Sequence, residues 1–380
     1  KLVAYSDEAK SRGVEVLHLN IGQPDIEAPI DAMEIVRDHS LKLLPYGSSE
    51  GSLSYRSQLC KYYQHHGISI ETDDIIVTTG ASEALSFTLN VICDPGDEII
   101  IPEPFYANYN GFAASLSVEV VPVVSYFENQ FELPPVEKIK EKITNKTRAI
   151  LICNPSNPTG YLYSEAEVKT LIDLAVDQDI FIIVDEVYRE FIYTENSHYS
   201  VLKSEKGNQY AVMIDSVSKR YSLCGARVGC MISKNKTLMA TALKFAHLRL
   251  SPPSLGLMAS EAAICTPPIY LEGVKKEYNK RKNVTVAALE KIEGVEVSNP
   301  MGAFYCIAKL PVENAEEFSK FLLTDFEDQG QTVMLAPAAG FYSSNELGKD
   351  QVRLAFVLES NKLRRAAEIL EKALTAYNNS

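Results

Sequence analysis

The chain lacks any apolar run approaching the roughly 20 residues that a helical membrane span needs, so no membrane role is expected of it. It also lacks a basic excess. Its 37 lysines and arginines face 50 aspartates and glutamates, giving a formal net charge of −13. Nucleic-acid binding needs a basic face that neutralises phosphates, and this balance argues against it. The seven cysteines include no CxxC pair and are odd in number, which fits reduced core residues better than a disulfide framework. The cytoplasm is the compartment to expect. The six histidines show no metal-ligand spacing, and the adjacent pair His65-His66 reads as solvent-facing; no metal site is expected. No internal repeat, low-complexity stretch or Gly/Ser linker interrupts the sequence.

What is present is a chain of 380 residues with 46% hydrophobic and 23% charged content, sized for about two domains. From about residue 72 to 285, short apolar runs alternate with amphipathic stretches. Ile75–Thr79, Asp97–Ile101, Val118–Val124, Arg148–Cys153, Ile180–Val184, Tyr210–Ser216 and Val228–Ile232 read as strands. Ser82–Ile92, Tyr106–Leu116 and Glu165–Asp177 read as helices. Strands separated by helices imply right-handed crossovers and a mainly parallel sheet, an α/β fold. Ligands gather beyond the carboxyl ends of such strands, so the residue after each apolar run is the one to examine. The charged segment around Glu277–Lys282 reads as a long helix leading into a smaller α+β unit. That unit has strands at Gly294–Ser298, Ala303–Ile307 and Val352–Val357, and helices at Ala315–Thr324 and Lys362–Ala376.

The segment Ser216-Val-Ser-Lys-Arg-Tyr-Ser-Leu-Cys-Gly-Ala-Arg227 carries the sharpest chemistry. It sets Lys219 beside Ser216 and Ser218, with Arg227 further along. An amine that attacks an aldehyde must shed its proton, and nearby cations favour that. Hydroxyls and a planar guanidinium fork are what a phosphate dianion prefers. An amine and a phosphate cradle in one loop suggest pyridoxal phosphate, held on Lys219 as a Schiff base.

The strand ends add to this. Asp185 follows Ile180–Val184, and a carboxylate at the mouth of a buried strand needs a cation. The protonated pyridine nitrogen of that cofactor is one, and its charge makes the ring an electron sink. Tyr188 lies near enough in the chain to donate to the ring's phenolic oxygen. Asn154-Pro-Ser-Asn-Pro-Thr-Gly160 follows Arg148–Cys153, and its prolines and glycine stiffen a turn that presents the Asn157 amide. Gly80-Ala81-Ser82 follows Ile75–Thr79 and opens a helix whose free N–H groups make a phosphate seat. Tyr106 follows Asp97–Ile101 and is the aromatic to lie on the ring. Singly, each has an ordinary use: Asp185 and Ser82 as helix caps, Tyr106 and Tyr188 as core aromatics, the Asn-Pro segment as a turn. Together at successive strand ends they argue for one site.

In this order, Tyr46, Gly80-Ala81-Ser82, Tyr106, Asn157-Pro158-Thr159-Gly160, Asp185-x-x-Tyr188, Ser216-x-Ser218-Lys219 and Arg227 resemble the class I/II aminotransferases. These are pyridoxal-phosphate enzymes of fold type I, and the likeness, aspartate aminotransferase-like in detail, runs from Gly22-Gln23-Pro24-Asp25 to Arg353. It implies a large domain with a mainly parallel seven-stranded sheet and a smaller α+β domain. The division is an N-terminal arm with part of the small domain over 1–45, a large cofactor-binding domain over 46–285 and a small domain over 286–380. It implies that Lys219 bonds the cofactor and shuttles the substrate proton, that Asp185 pairs with the ring nitrogen, and that Asn157 and Tyr188 hold the phenolic oxygen. Gly80, Ala81, Ser82, Ser216, Ser218 and Arg227 would hold the phosphate and Tyr106 would stack on the ring. Tyr46 would reach the phosphate of a neighbouring subunit, making a homodimer with shared active sites. Arg353 matches the arginine that grips the substrate α-carboxylate, with Gly22 and Asn157 beside it.

The activity so implied is ping-pong transamination between an L-amino acid and a 2-oxo acid, with 2-oxoglutarate as acceptor. Ser82 departs from the pattern: one bacterial branch of aspartate aminotransferases has a lysine there for the distal carboxylate. An aspartate-type donor would then need another cation, from this chain or from the partner subunit, Arg249 being a candidate. Aromatic or neutral donors, or a C–S lyase or aminocyclopropane-carboxylate synthase reaction, would use the same cofactor residues.

Overall fold

The computed structural model describes residues 2–38, 40–344 and 346–379. Its first strand, β1 (Glu15–His18), belongs to a small parallel pair. The next seven build the central sheet: β2 (Ile75–Thr78), β3 (Glu98–Glu103), β4 (Glu119–Val124), β5 (Thr147–Cys153), β6 (Phe181–Asp185), β7 (Ala211–Ser216) and β8 (Gly229–Ile232). Their spatial order is β2-β8-β7-β6-β5-β3-β4. β8 runs antiparallel to both neighbours, and the pairings from β7 across to β4 are parallel. The sheet is therefore mainly parallel, with one reversed strand.

These segments are strands because their β-branched side chains suit a pleated surface, and they are continuous because both faces are covered. Within β3, Ile99 and Ile101 join one core layer while Ile100 joins the other. In β6, Ile183 faces the first layer and Ile182 and Val184 the second. Helices cover each face, among them Gly80–Ile92 and Glu165–Asp177. The latter opens on a reciprocal cap between Ser164 and Glu167.

The helix Pro268–Leu289 is unbroken over 22 residues and leads to a second, antiparallel sheet. The remaining strands are β9 (Glu296–Val297), β10 (Tyr305–Lys309), β11 (Gln331–Met334), β12 (Ala336–Pro337) and β13 (Gln351–Ala355). Four of them are ordered β12-β13-β10-β9, while β11 pairs in parallel with β1, Glu15 opposite Gln331. All seven cysteines are free thiols. Among the described residues no helix is long and apolar enough to cross a membrane. The expectation for the histidine pair holds for His65, which is exposed, and in part for His66, whose side chain is 39% exposed. That ring packs on Tyr62 with centroids 4.7 Å apart and faces Glu190 at 3.4 Å.

Candidate active site

Beyond the carboxyl ends of the parallel strands lies a cavity of ≈ 430 Å³. Of the residues singled out in the sequence, Ala81, Ser82, Ser216, Ser218 and Arg227 line it, as do Tyr106, Asp185, Tyr188 and Lys219. Gly22, Asn157 and Arg353 line it too, drawn from sequence positions far apart. Gly80 lies just outside this lining, and Tyr46 is 81% exposed, outside the cavity of its own chain.

Lys219 stands on a four-residue helix, Val217–Arg220, between β7 and the reversed β8. Ser216 caps that turn: its Oγ accepts from the Ser218 N–H at 3.1 Å, and lies 2.8 Å from both Ser218 Oγ and the Val228 carbonyl oxygen. Behind the turn the buried carboxylate of Asp215 accepts from Tyr63 at 2.6 Å and pairs with the buried guanidinium of Arg220. A buried charge pair with its hydrogen bonds filled fixes one arrangement of the loop. Lys219 Nζ points into the cavity and donates to the Gly22 carbonyl oxygen at 2.8 Å.

At one end, Arg227 sits at φ +53°, with its guanidinium held against the turn by the Cys224 carbonyl at 3.0 Å. Gly80 makes room for it: at φ +74°, a Cβ there would fall 2.4 Å from an Arg227 nitrogen. The helix Gly80–Ile92 starts here, two residues earlier than its sequence pattern predicts. Its N-cap is Thr79, not Ser82, because Glu83 reaches back to accept from the Thr79 N–H at 2.7 Å.

Asp185 is 5% exposed, and burial pushes its carboxyl up to about 6 against the opposing hydrogen bonds of Tyr109 at 3.0 Å and the Val187 N–H at 3.3 Å. It is the one carboxylate among the described lining residues, and three cations, Lys219, Arg227 and Arg353, share the space. Tyr188 and Tyr305 join hydroxyls at 2.8 Å. Gly22 must be glycine for their sake, since a Cβ would meet the Tyr305 hydroxyl at 1.7 Å. Arg353 is 7% exposed; it donates to Asn157 Oδ1 at 3.1 Å and to the Asn20 carbonyl, over the Tyr305 ring at 4.6 Å. Its Nε has no hydrogen-bond partner among the described residues.

Arg249 stands outside the lining of its own chain's cavity. It donates to Glu83 at 2.7 Å and to the Ser49 carbonyl at 2.7 Å. Tyr109, Tyr305 and Cys224 are lining residues that sequence reasoning missed. Tyr109 follows Tyr106 by about one turn, a spacing that could have flagged it. Tyr305 meets Tyr188 across 117 positions, and no local pattern signals that.

The lining fits pyridoxal phosphate. A buried carboxylate that makes no ion pair among the described residues suits a pyridinium, the hydroxyls and guanidinium beside a helix start suit a phosphate, and the amine of Lys219 suits an aldehyde. Arg353, with an unpartnered donor, is left for a carboxylate.

The comparisons agree. The family model for aminotransferase class I and II matches residues 14–370. The chain is 31% identical to an aspartate aminotransferase of Bacillus subtilis, over 99% of this chain and 96% of that one. It is 30% identical to an aspartate aminotransferase of Pyrococcus horikoshii, over 97% and 93%. A solved alanine aminotransferase from Pyrococcus furiosus superposes with a TM-score of 0.89 at 28% identity, over 99% and 96%. The chain belongs to the class I and II aminotransferases, enzymes that work with pyridoxal phosphate.

Proposed function

We propose that this enzyme transfers the amino group of an L-amino acid to a 2-oxo acid, 2-oxoglutarate being the acceptor, in two half-reactions of a ping-pong cycle. The observation that carries the reading is one amine, on Lys219, sharing a cavity with two guanidiniums and a single buried carboxylate. Pyridoxal phosphate, when bound, supplies an electron sink that lets the Cα–H bond of an attached amino acid ionise. Asp185 holds the proton on the ring nitrogen, and Asn157 and Tyr188 hold the phenolic oxygen. Ser216, Ser218, Arg227 and the N–H groups at Gly80, Ala81 and Ser82 bind the phosphate. Tyr106 covers the ring. Arg353, braced by Asn157 and Tyr305, takes the α-carboxylate and fixes the α-carbon in the cavity. Lys219 Nζ then accepts the α-proton.

The active sites are shared in a homodimer on this reading. Leu43, Leu44 and Tyr46 on one segment, and Leu248, Leu250 and Leu255 on another, are exposed. The segments are joined through Arg249 to the Ser49 carbonyl and Ser254 Oγ to the Pro45 carbonyl at 3.4 Å, forming one apolar face. Covering it with a second copy would bring Tyr46 to the partner's phosphate.

An aspartate-type donor is the first reading, following the two aspartate aminotransferases above. Its distal carboxylate needs a cation from the second copy, because Ser82 is neutral and Arg249 is bonded to Glu83. The same shortage favours a second reading, a neutral or aromatic donor against Ile21, Leu85 and Phe112 on the cavity wall. A donor panel with 2-oxoglutarate, followed by the absorbance change of the cofactor to its amine form, separates them. Lys219→Ala should lower turnover by at least about 10³-fold. Near-parental turnover in that variant, or ammonia release without an acceptor, overturns the proposal.

A further inference from the structure

A second cavity, ≈ 970 Å³ against ≈ 430 Å³ for the catalytic one, shares no lining residue with it. It lies among the end of the helix Leu53–His65, the segment 189–203 and the start of the helix Pro268–Leu289. Its walls carry Lys61, Arg189, Lys203 and Lys275 together with three imidazoles, against two carboxylates, Glu190 and Glu272. In a chain of formal charge −13 this is a local inversion of sign. Low-dielectric walls lined by one sign of charge concentrate the opposite ion.

Arg189 is already paired with the buried carboxylate of Glu186 at 3.4 Å, but the lysines are available. Lys61, Lys203 and Lys275 make no ion pair among the described residues, whereas Glu190 already accepts from Tyr62 and faces His66 at 3.4 Å. The 22-residue helix presents its N-terminal turn to the cavity at Thr266 and Pro268, with no side-chain cap. Pro267 and Pro268 carry no N–H, and those of Thr266 and Tyr270 are taken by the Ala263 and Pro267 carbonyls, so the turn contributes chiefly the positive end of its dipole. Polar atoms of wall residues also lack partners among the described residues: Thr266 Oγ1, Gln58 Oε1 and His198 Nδ1. The His198 side chain is only 7% exposed, and its Nε2 lies 3.2 Å from the Asn154 carbonyl oxygen, to which it donates when neutral. Nδ1 is then an acceptor, like Gln58 Oε1, so two buried acceptors await a hydroxyl. Burial, with Arg189 and Lys203 nearby, holds His198 well below the ordinary histidine range, so neutral is the form to expect.

We infer that this cavity is a second binding site, for a small metabolite that carries both anionic oxygens and hydroxyl groups. The lysines and the helix start take the charge, and Gln58 and His198 take the hydroxyls. The inference does not rest on the transamination reading. One wall leads toward the catalytic loop: Tyr62 stacks under the Arg220 guanidinium at 4.2 Å, and Arg220 pairs with Asp215 just ahead of Ser216.

The test is isothermal titration of the cofactor-loaded enzyme carrying Arg353→Ala, which removes carboxylate binding in the catalytic cavity. Ribose 5-phosphate and citrate are the two probes, distinguishing a sugar phosphate from a hydroxy acid, and ribose is the uncharged control. Saturable binding of at least one probe, one per chain, is expected, with none for ribose. Combining Lys61→Gln, Lys203→Gln and Lys275→Gln should weaken it at least about tenfold, and Lys203→Gln alone by a smaller factor. No saturable binding of either probe at millimolar concentration overturns the inference. So does unchanged binding in the lysine variants.

Discussion

Asp185 shows how one residue couples stability to chemistry. Its carboxyl titrates at about 6 in the folded chain, against about 3.9 in an unfolded one. A carboxyl raised by folding favours the folded state while protonated; that contribution is lost as pH climbs from about 4 through 6. The loss amounts to up to about 3 kcal/mol. Cofactor-free Asp185→Asn should therefore resist urea better at pH 7.5 than the cofactor-free parent, by up to about 3 kcal/mol, and show no such gain at pH 4. Equal or lower stability at pH 7.5 would sink this account. Tyr109→Phe acts in the opposite sense, since it removes a hydrogen bond that stabilises the ionised carboxyl. It should lower the stability of the cofactor-free protein at pH 7.5 by about 1–2 kcal/mol, read from the same urea curves. The cavity residues most readable in the sequence are those at the ends of apolar runs, such as Asp185 ending β6 and Ser216 ending β7. Tyr305 could not be found that way, because its place depends on how β10 meets the turn after β6.

At the scale of elements, the contact between the helix Gly80–Ile92 and β8 sets the end of the cavity where Arg227 stands. They cross at Gly229, where a Cβ would meet the Gly80 carbonyl carbon at 2.6 Å, the Ala81 nitrogen at 2.7 Å and the Asp215 carbonyl oxygen at 2.8 Å. All three are backbone atoms, so nothing nearby can swing aside. Gly229→Ala should lower stability by about 2–4 kcal/mol and weaken cofactor binding, measured by thermal unfolding and by titration with pyridoxal phosphate. An unperturbed variant would mean that the helix start is free to shift. The seven central strands were legible because each contains a compact apolar run bounded by turn residues. The reversal of β8 was not, since direction leaves no mark on hydrophobic pattern. The helix Leu53–His65 also escaped: its buried face is made of Tyr55, Arg56, Leu59 and Tyr63, whose hydroxyls and guanidinium hide the apolar stripe. β1 and β11 escaped because each is short and its partner lies some 316 residues away.

The molecule as a whole leaves an apolar face open beside the catalytic cavity's own wall elements. Leu248 is 82% exposed there, and Leu43 is close to it in exposure. Clustered exposure of this kind is what association between subunits removes. Leu43→Glu with Leu248→Glu should shift the protein to a monomer in sedimentation velocity and lower turnover at least about tenfold, because charges at the centre of such a face resist burial. A dimer that survives both changes places the interface elsewhere.

The pairing of β1 with β11 bears on how the protein is made. The central sheet has all its strands once Ile232 has emerged from the ribosome, whereas β1 must wait for Gln331–Met334, about a hundred residues later. At usual rates of translation the part of that wait after the central sheet is complete is roughly 5–20 s. Throughout it the first strand remains an unpaired edge, open to capture by chaperones or by a neighbouring nascent chain.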